Sequence, residues 1–323
     1  MAAEKYITVF VPTYNGAKYI GELINAVLDQ ELPEDYKLEL MIIDSGSTDN
    51  TVDIIKQHYI DKVNFSEIPN SEFGHGKTRQ KAAEIAKGEY ILFLSQDATP
   101  SHRHWLIDMI EPFCVSDKVG CVFGRQIPRP DAVAPIKREV STVFGNFGAP
   151  DSITLHREKS LVDKQKVNEL NTFFSDVNSA VRKDLITTIP FRDVAYAEDQ
   201  ALAQDMQNAG YLKAYSVRGS VWHSNEYTVA EFRKRKYDEY VGLIKSIDYV
   251  IEKPLKTALV GWVKPTLHDI RFTLRDGEYG KKRKLLNLVL AFGYNIASVM
   301  GRYDASKYSE ENHSKKSLEA SRK

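Results

Sequence analysis

The chain has only two cysteines, Cys114 and Cys121, in 323 residues. So few thiols, close together, exclude a disulfide framework and a cysteine-based zinc site. With no secretory leader read at Met1, the expectation is buried thiols in a reducing, cytosolic compartment. Net charge is missing too: 44 Lys and Arg balance 44 Asp and Glu. No global field favours nucleic acid as a partner, and any cationic surface has to be local. No internal repeat is evident. Long apolar runs are also scarce: the longest, Leu285 to Met300, is interrupted by Asn287, Gly293, Asn295 and Ser298 and is short for a bilayer span, although it can lie on a membrane.

What is present is a strand–helix alternation. Tyr90 to Leu94 is an unbroken apolar run, as in a strand buried on both faces of a parallel sheet. Ile7 to Val11 reads as a strand stopped by Pro12, and Ile20, Leu23, Ile24, Val27 and Leu28 recur at helical spacing after it. Leu38 to Ile43 is a further buried strand, and Asp49 or Ser47 can cap a helix bearing Val52, Ile55 and Tyr59. Gly74 to Lys87 reads as a helix closed by Gly88 at C′, and Ser101 as the N-cap of a helix carrying Trp105, Leu106 and Met109. Val119 to Phe123, Glu198 to Gln207 and Leu212 to Val217 continue as strand, helix and strand, with regular structure resuming at Asn171. The pattern predicts an α/β, Rossmann-like, mostly parallel sheet flanked by helices, with a C-terminal helical extension. Pro128, Pro130, Pro135 and Pro150 with Gly145 and Gly148 mark residues 126–166 as a loop-rich insertion, either a lid or acceptor-side wall of an enzyme or a disordered segment.

Polar chemistry begins where strands end. Thr13-Tyr14-Asn15, Asp44, Asp97 and Glu198-Asp199 fall at carboxyl edges of strands or at a helix start, where open α/β sheets bind ligands. Asp97 can ligate a divalent cation carrying a diphosphate, or simply cap the next turn. Asp44 can accept the imide N–H of a uracil or thymine, with Thr13 and backbone near Pro12 holding base and ribose, or begin an Asx-turn. Arg79 can steady phosphate oxygens from a helix entering the crevice, or be a surface helix arginine.

VPTYNG (Val11 to Gly16), IIDSGSTDNT (Ile42 to Thr51), LSQDATP (Leu94 to Pro100) and AEDQ (Ala197 to Gln200) together resemble the ordered motifs of glycosyltransferase family 2. The resemblance runs over residues 7 to 226 and implies the GT-A fold, a nucleotide-diphosphate sugar donor and inversion at the anomeric centre. The SQDA form of the metal motif, Arg125-Gln126 before a proline-rich loop, and WHSNEYT (Trp222 to Thr228) resemble the bacterial rhamnosyltransferases that use dTDP-L-rhamnose.

The resemblance implies Pro12, Thr13, Tyr14, Asn15, Asp44, Ser45, Arg79, Gln96, Asp97 and Arg125 as donor-binding residues. It implies Asp97 and His223 as ligands of Mg²⁺ or Mn²⁺, and Asp199 as the general base, with Glu198 the alternative. Ser95 stands where the family's metal motif carries its first carboxylate, which leaves the cation more dependent on the donor's own oxygens. A UDP-hexose donor is one alternative, and a nucleotide-sugar-binding protein without turnover is another. Pyrophosphorylases are disfavoured, because the glycine-rich, basic N-terminal loop that grips a triphosphate is absent.

Residues 1–228 are read as the catalytic domain, 229–305 as a helical region and 306–323 as a flexible tail. The helix from Val229 places Phe232, Tyr240, Ile244 and Ile247 roughly on one side, with Arg233 to Lys236 near its start and Lys281 to Lys284 before the later apolar run. The expectation is docking on the cytoplasmic face of a bacterial plasma membrane, where a lipid-linked glycan of cell-wall or O-antigen polysaccharide is the acceptor. Packing into a homo-oligomer through these helices is the competing expectation.

Overall fold

The computed structural model describes residues 4–156, 173–194, 196–225, 227–247, 249–251 and 254–318. Two compact units are present, one formed by Met1–Ile127 with Val143–His223, the other by Pro128–Thr142 with Ser224–Lys323.

The first unit is built on a nine-stranded sheet. Strands β1 (Lys5–Thr13), β2 (Tyr36–Asp44), β3 (Asn64–Glu67) and β4 (Tyr90–Leu94) pair in parallel in the order β3-β2-β1-β4. Parallel neighbours buried on both faces need continuous apolar sequence, and Val9, Phe10, Val11, Leu92 and Phe93 are all sealed from solvent. Helices α1 (Ile20–Leu28), α2 (Thr51–His58), α3 (His75–Ile85) and α4 (Trp105–Val115) supply cover, with Leu23, Ile24, Val27, Ile55 and Trp105 in the same core.

Beyond β4 the sheet changes sense. β8 (Asn178–Arg182) lies between β4 and β6 (Val119–Ile127) and is antiparallel to both, whereas β6 and β9 (Leu212–Trp222) are parallel. The short β5 (Thr99–Pro100) and β7 (Ile153–His156) add antiparallel to β9. The parallel expectation thus holds for the β3-β2-β1-β4 block and for the β6–β9 pair.

Several local expectations are corrected. β1 runs through Pro12 to Thr13. Pairing with β4 has ended by then at Phe10 opposite Phe93, so the missing Pro12 N–H affects one side only. Gly88 is not a helix C′ residue: α3 ends at Ile85, Gly88 N donates to Thr8 Oγ1 at 2.9 Å, and a Cβ there would meet Thr8 N at 2.5 Å. Close backbone approach is what requires glycine. Ser101 does not cap α4, since its hydroxyl donates to the Ser220 carbonyl at 2.9 Å. Of the two thiols, Cys121 is buried and Cys114 exposed. Asn171 lies outside the described residues.

The stretch read as loop-rich contains helix α5 (Ala134–Gly145) and β7, with Pro135 in the first helical turn, where a proline costs no hydrogen bond. Residues 157–166 of that stretch lie outside the described residues. Helices α6 (Lys183–Ile186) and α7 (Glu198–Asn208) complete the first unit.

The second unit is helical: α8 (Val229–Ile247), α9 (Pro254–Val260), α10 (Val263–Arg275), α11 (Lys281–Ala305) and α12 (Glu310–Lys316). α8 buries Phe232, Tyr237 and Val241, and α11 buries Tyr294, Ala297 and Ala305. Tyr240, read as one of the apolar positions of α8, packs at the edge of the Tyr237–Val241–Ala305 cluster. The Ile247 side chain is outside the described set. Of the tail expected to be flexible, Glu310–Lys316 forms α12, after which Leu318 is buried and its N–H donates to Asp238 at 2.7 Å; residues 319–323 lie outside the described residues.

Candidate active site

The polar residues converge at the carboxyl ends of β1, β2 and β4. β1 and β2 end in register, Thr13 opposite Asp44. Asp44 is completely buried, and both of its oxygens are engaged. Oδ1 accepts from the backbone of Gly46 at 3.0 Å and of Ser47 at 2.8 Å; Oδ2 accepts from Thr13 Oγ1 at 2.9 Å and Ser47 Oγ at 2.6 Å. The two backbone contacts are those of an Asx-turn, and the other two come from rotatable hydroxyls. Ser45 Oγ donates to the Thr13 carbonyl at 3.0 Å, which makes Thr13, Asp44 and Ser45 a self-satisfied floor.

Above that floor the next residues are tethered. Asn15 sits at φ 51. Its Oδ1 accepts Thr48 N at 2.8 Å, and its own N–H donates to Ser47 Oγ at 2.8 Å. Gln96 clasps Tyr14 in both directions: Tyr14 N donates to Gln96 Oε1 at 2.8 Å, and Gln96 Nε2 donates to Tyr14 O at 2.9 Å. Gln96 is thereby spent on holding two loops together, while the Tyr14 ring stays 36% exposed. Arg125 is exposed near the end of β6.

Asp97 and His223 are brought together from β4's terminal loop and from just beyond β9, with His223 Nε2 3.4 Å from Asp97 Oδ2. Ser95 Oγ donates to Asp97 Oδ1 at 2.7 Å. His223 Nδ1 lies 2.9 Å from Gln126 Oε1. That oxygen accepts the Nδ1 proton, and Nε2 is the ring nitrogen turned toward Asp97. Such an outer hydrogen bond is what orients a ligating histidine. Burial works to raise the Asp97 carboxyl, but the neighbouring His223, with hydrogen bonds from His223 and Ser95, outweighs it and holds the pKa at about 2. The pair fits a divalent cation as two ligands, one oxygen and one nitrogen. No cluster of three or more His, Cys, Asp or Glu suited to a metal occurs among the described residues, so further ligands have to come from the donor and water.

α7 carries the second group. Ala197, its N-cap, is buried in the left-handed region at φ 61, a conformation an alanine holds only where surroundings over-determine it. Glu198 is buried and accepts from Arg79 Nη1 at 2.8 Å, while Arg79 Nε is 3.2 Å from Asp176 Oδ2. Arg79, 7% exposed, is thus paired with two carboxylates.

Asp199 keeps partial surface access. Its Oδ2 accepts the Asp176 N–H at 3.2 Å and its Oδ1 accepts Gln200 N at 2.7 Å, so its orientation is fixed. Enclosure in protein, then the negative charges of Glu198 and Asp176, raise the Asp199 carboxyl well above the ordinary range, with Arg79 opposing. Burial likewise raises Asp176, whose Oδ1 accepts from Ser179 Oγ at 2.6 Å.

Sequence reasoning missed Asp176, and it named Gln126 only as a family mark, not as the partner of His223. Asp176 follows Phe173-Phe174-Ser175 just before a strand, with no local signal of chemistry, and its partner Arg79 is far away in the chain. The two groups are linked through this segment, since Ser95 N donates to Val177 O at 3.2 Å. A cavity of about 640 Å³ lined by Lys87, Glu89, Tyr90 and Arg182 lies at the amino end of β4, opposite the edge where these groups gather.

The model of Glycosyl transferase family 2 matches residues 8–189. The O-antigen chain rhamnosyltransferase WbaN of Salmonella anatum is 31% identical over 296 residues, covering 90% of this chain and 88% of that protein. The O-antigen chain rhamnosyltransferase RfbN of Salmonella typhimurium (strain LT2) is 28% identical over the same shares. Among solved structures, mannosyltransferase PcManGT from Pyrobaculum calidifontis, in complex with GDP-Man and Mn²⁺, superposes with a TM-score of 0.57 at 19% identity, over 93% of this chain and 85% of that one. That likeness shows a shared GT-A fold.

Proposed function

This chain belongs to glycosyl transferase family 2, and from that premise we propose that it is an inverting rhamnosyltransferase moving L-rhamnose from dTDP-β-L-rhamnose to a hydroxyl of a lipid-linked glycan. The observation that carries the reading is the Asp97–His223 pair, held at 3.4 Å with the histidine oriented by Gln126, in a chain aligned to rhamnosyltransferases along nearly all of its length.

Asp199 takes the proton of the acceptor hydroxyl as its oxygen attacks the anomeric carbon from the face opposite the nucleotide. The bond from that carbon to the diphosphate oxygen breaks, the electron pair leaves with dTDP, and the β-linked donor gives an α-L-rhamnoside. Asp97 and His223 would hold a Mg²⁺ or Mn²⁺ ion, which would supply charge neutralisation to the departing diphosphate. Glu198, tied to Arg79, is not available as the base, whereas Asp199 has access and a raised pKa suited to collecting a proton. Asp44 is the group assigned to the pyrimidine, and the exposed Tyr14 ring is a surface for the base to stack on. Arg125 is the exposed cation assigned to the donor, and Pro12, Asn15 and Ser45 shape the cleft. Synthesis of this kind takes place on the cytoplasmic face of the plasma membrane, where the glycan's lipid is anchored.

The test is donor stabilisation and transfer by the purified protein, comparing dTDP-L-rhamnose with UDP-glucose, UDP-galactose and UDP-N-acetylglucosamine in Mg²⁺, Mn²⁺ or chelator. Selective, metal-dependent stabilisation by dTDP-L-rhamnose is expected. Asp199→Asn is expected to keep that stabilisation and lower kcat by roughly 100- to 10,000-fold. Preference for a UDP-sugar discards the rhamnose assignment, and an undiminished Asp199→Asn rate discards the base.

A further inference from the structure

We propose that α9, α10 and α11 form a face that inserts into one leaflet of an anionic bilayer. These helices are apolar on the wrong side for a soluble helical unit. Along α11, Leu285, Val289, Phe292 and Ile296 follow one stripe at spacings of four, three and four residues, and are 42–68% exposed. α10 exposes Val263, Leu267 and Leu274, again on one stripe, and α9 exposes Leu255 and Leu259.

The buried sides are polar instead. Asn287 and Asn295 of α11 and Thr266, Asp269 and Thr273 of α10 are buried. Asp269 accepts from both Arg138 and Asn295, and Asn287 Oδ1 accepts Ala134 N at 3.3 Å. Asp269, Asn295 and Asn287 thus tie α10 and α11 to each other and to α5, while leucines, valines and Phe292 are turned outward. An exposed apolar surface spanning three helices calls for an apolar medium.

Charge identifies that medium. Lys264, Arg271, Arg275, Lys281 and Lys282 are exposed on the same helices. The nearby acids are already taken, Asp276 and Glu278 by Lys137 and Asp269 by Arg138. A cationic rim around an apolar face is complementary to anionic headgroups over acyl chains, and two copies of it would repel.

α11 is long and apolar enough to cross a membrane, but Asn287 and Asn295 on its other side are used inside the unit, so one side only is left for lipid and the helix lies along the surface. α8, whose apolar residues suggested docking in the sequence, turns Phe232 into the unit's own core, and Tyr240 packs against the Tyr237–Val241–Ala305 cluster.

The inference deepens the lipid-linked acceptor reading and rests on it only for purpose. Its test contains neither donor nor acceptor, so it fails or succeeds apart from that reading. Full-length protein is floated with vesicles of phosphatidylethanolamine and phosphatidylglycerol, and with vesicles of phosphatidylcholine alone. Selective partitioning onto the anionic vesicles, weakened by salt, is expected. The combined Leu267→Asp, Val289→Asp and Phe292→Asp variant should lose at least about tenfold in partitioning with an unchanged unfolding midpoint, because the replaced side chains are already exposed. Lys281→Glu with Lys282→Glu leaves the apolar stripe intact and should weaken binding to the anionic vesicles alone. Wild-type protein left behind by anionic vesicles, or an acidic variant that floats as well as wild type, overturns the proposal. So does a dimer split by the same substitutions with no vesicle binding, which assigns the face to a second copy.

Discussion

At the scale of single residues, two carboxylates at this sheet edge are driven in opposite directions. Asp97 is held at about 2 beside His223, which keeps it anionic at any working pH; Asp199 is raised by its enclosure and by Glu198 and Asp176. A group kept charged suits a cation, and a group that binds protons more readily suits a base. The sign of one substitution follows. Glu198→Gln removes a negative charge next to Asp199, so the ionised form of Asp199 costs less, its pKa falls, and the acid limb of the kcat/KM profile moves to lower pH. A limb that stays in place or moves up would show that Glu198 does not act on the base. Asp97, His223 and Asp199 were legible because each stands in a short motif after a strand or at a helix start. The internal partners of Arg79 and Asp44 were not. Whether a guanidinium meets phosphate or carboxylate is decided by Asp176 and Glu198, which only the fold brings to it, and whether Asp44 is free depends on four donors counted in three dimensions.

At the scale of elements, legibility followed periodicity. The buried parallel strands and the helices between them were readable from unbroken apolar runs and helical spacing; β8's reversed direction was not, because a strand's sequence carries no sense of direction. α5 was hidden by prolines, although Pro135 sits where a helix tolerates one. Contacts between helices are likewise invisible in sequence, and Gly301 is an example. α11 passes so close to α8 that a Cβ at Gly301 would stand 2.4 Å from the Arg233 carbonyl and 2.8 Å from Lys236 Cβ, and the backbone oxygen cannot yield as a side-chain end could. Gly301→Val is expected to push the helices apart and lower unfolding free energy by about 1–3 kcal/mol, as overpacked cores do. Thermal or denaturant unfolding measures this directly. A variant as stable as wild type would mean that the two helices have slack at the crossing.

At the scale of the whole molecule, the chain does not divide where its motifs stop. The second unit takes Pro128–Thr142 from the middle of the sequence and joins it to everything from Ser224 onward. Within that unit Ile136 packs with Phe232, Tyr294 and Ala297, Lys137 pairs with Asp276 at 2.9 Å, and Tyr279 Oη donates to the Ala132 carbonyl at 2.6 Å. A protein cut after Thr228, at the boundary drawn from motif order, retains α5 while losing all of these partners. Ile136 would lose a burial worth about 2 kcal/mol, and Lys137 and Arg138 would lose the carboxylates that neutralise them. Residues 1–228 alone are therefore expected to express with poor solubility or as aggregates, whereas the full chain unfolds in cooperative transitions. Size-exclusion chromatography with light scattering separates the outcomes. A monodisperse 1–228 fragment that is still stabilised by dTDP with Mn²⁺ would show that Pro128–Thr142 needs no helical partner and that the motif-based boundary is the physical one.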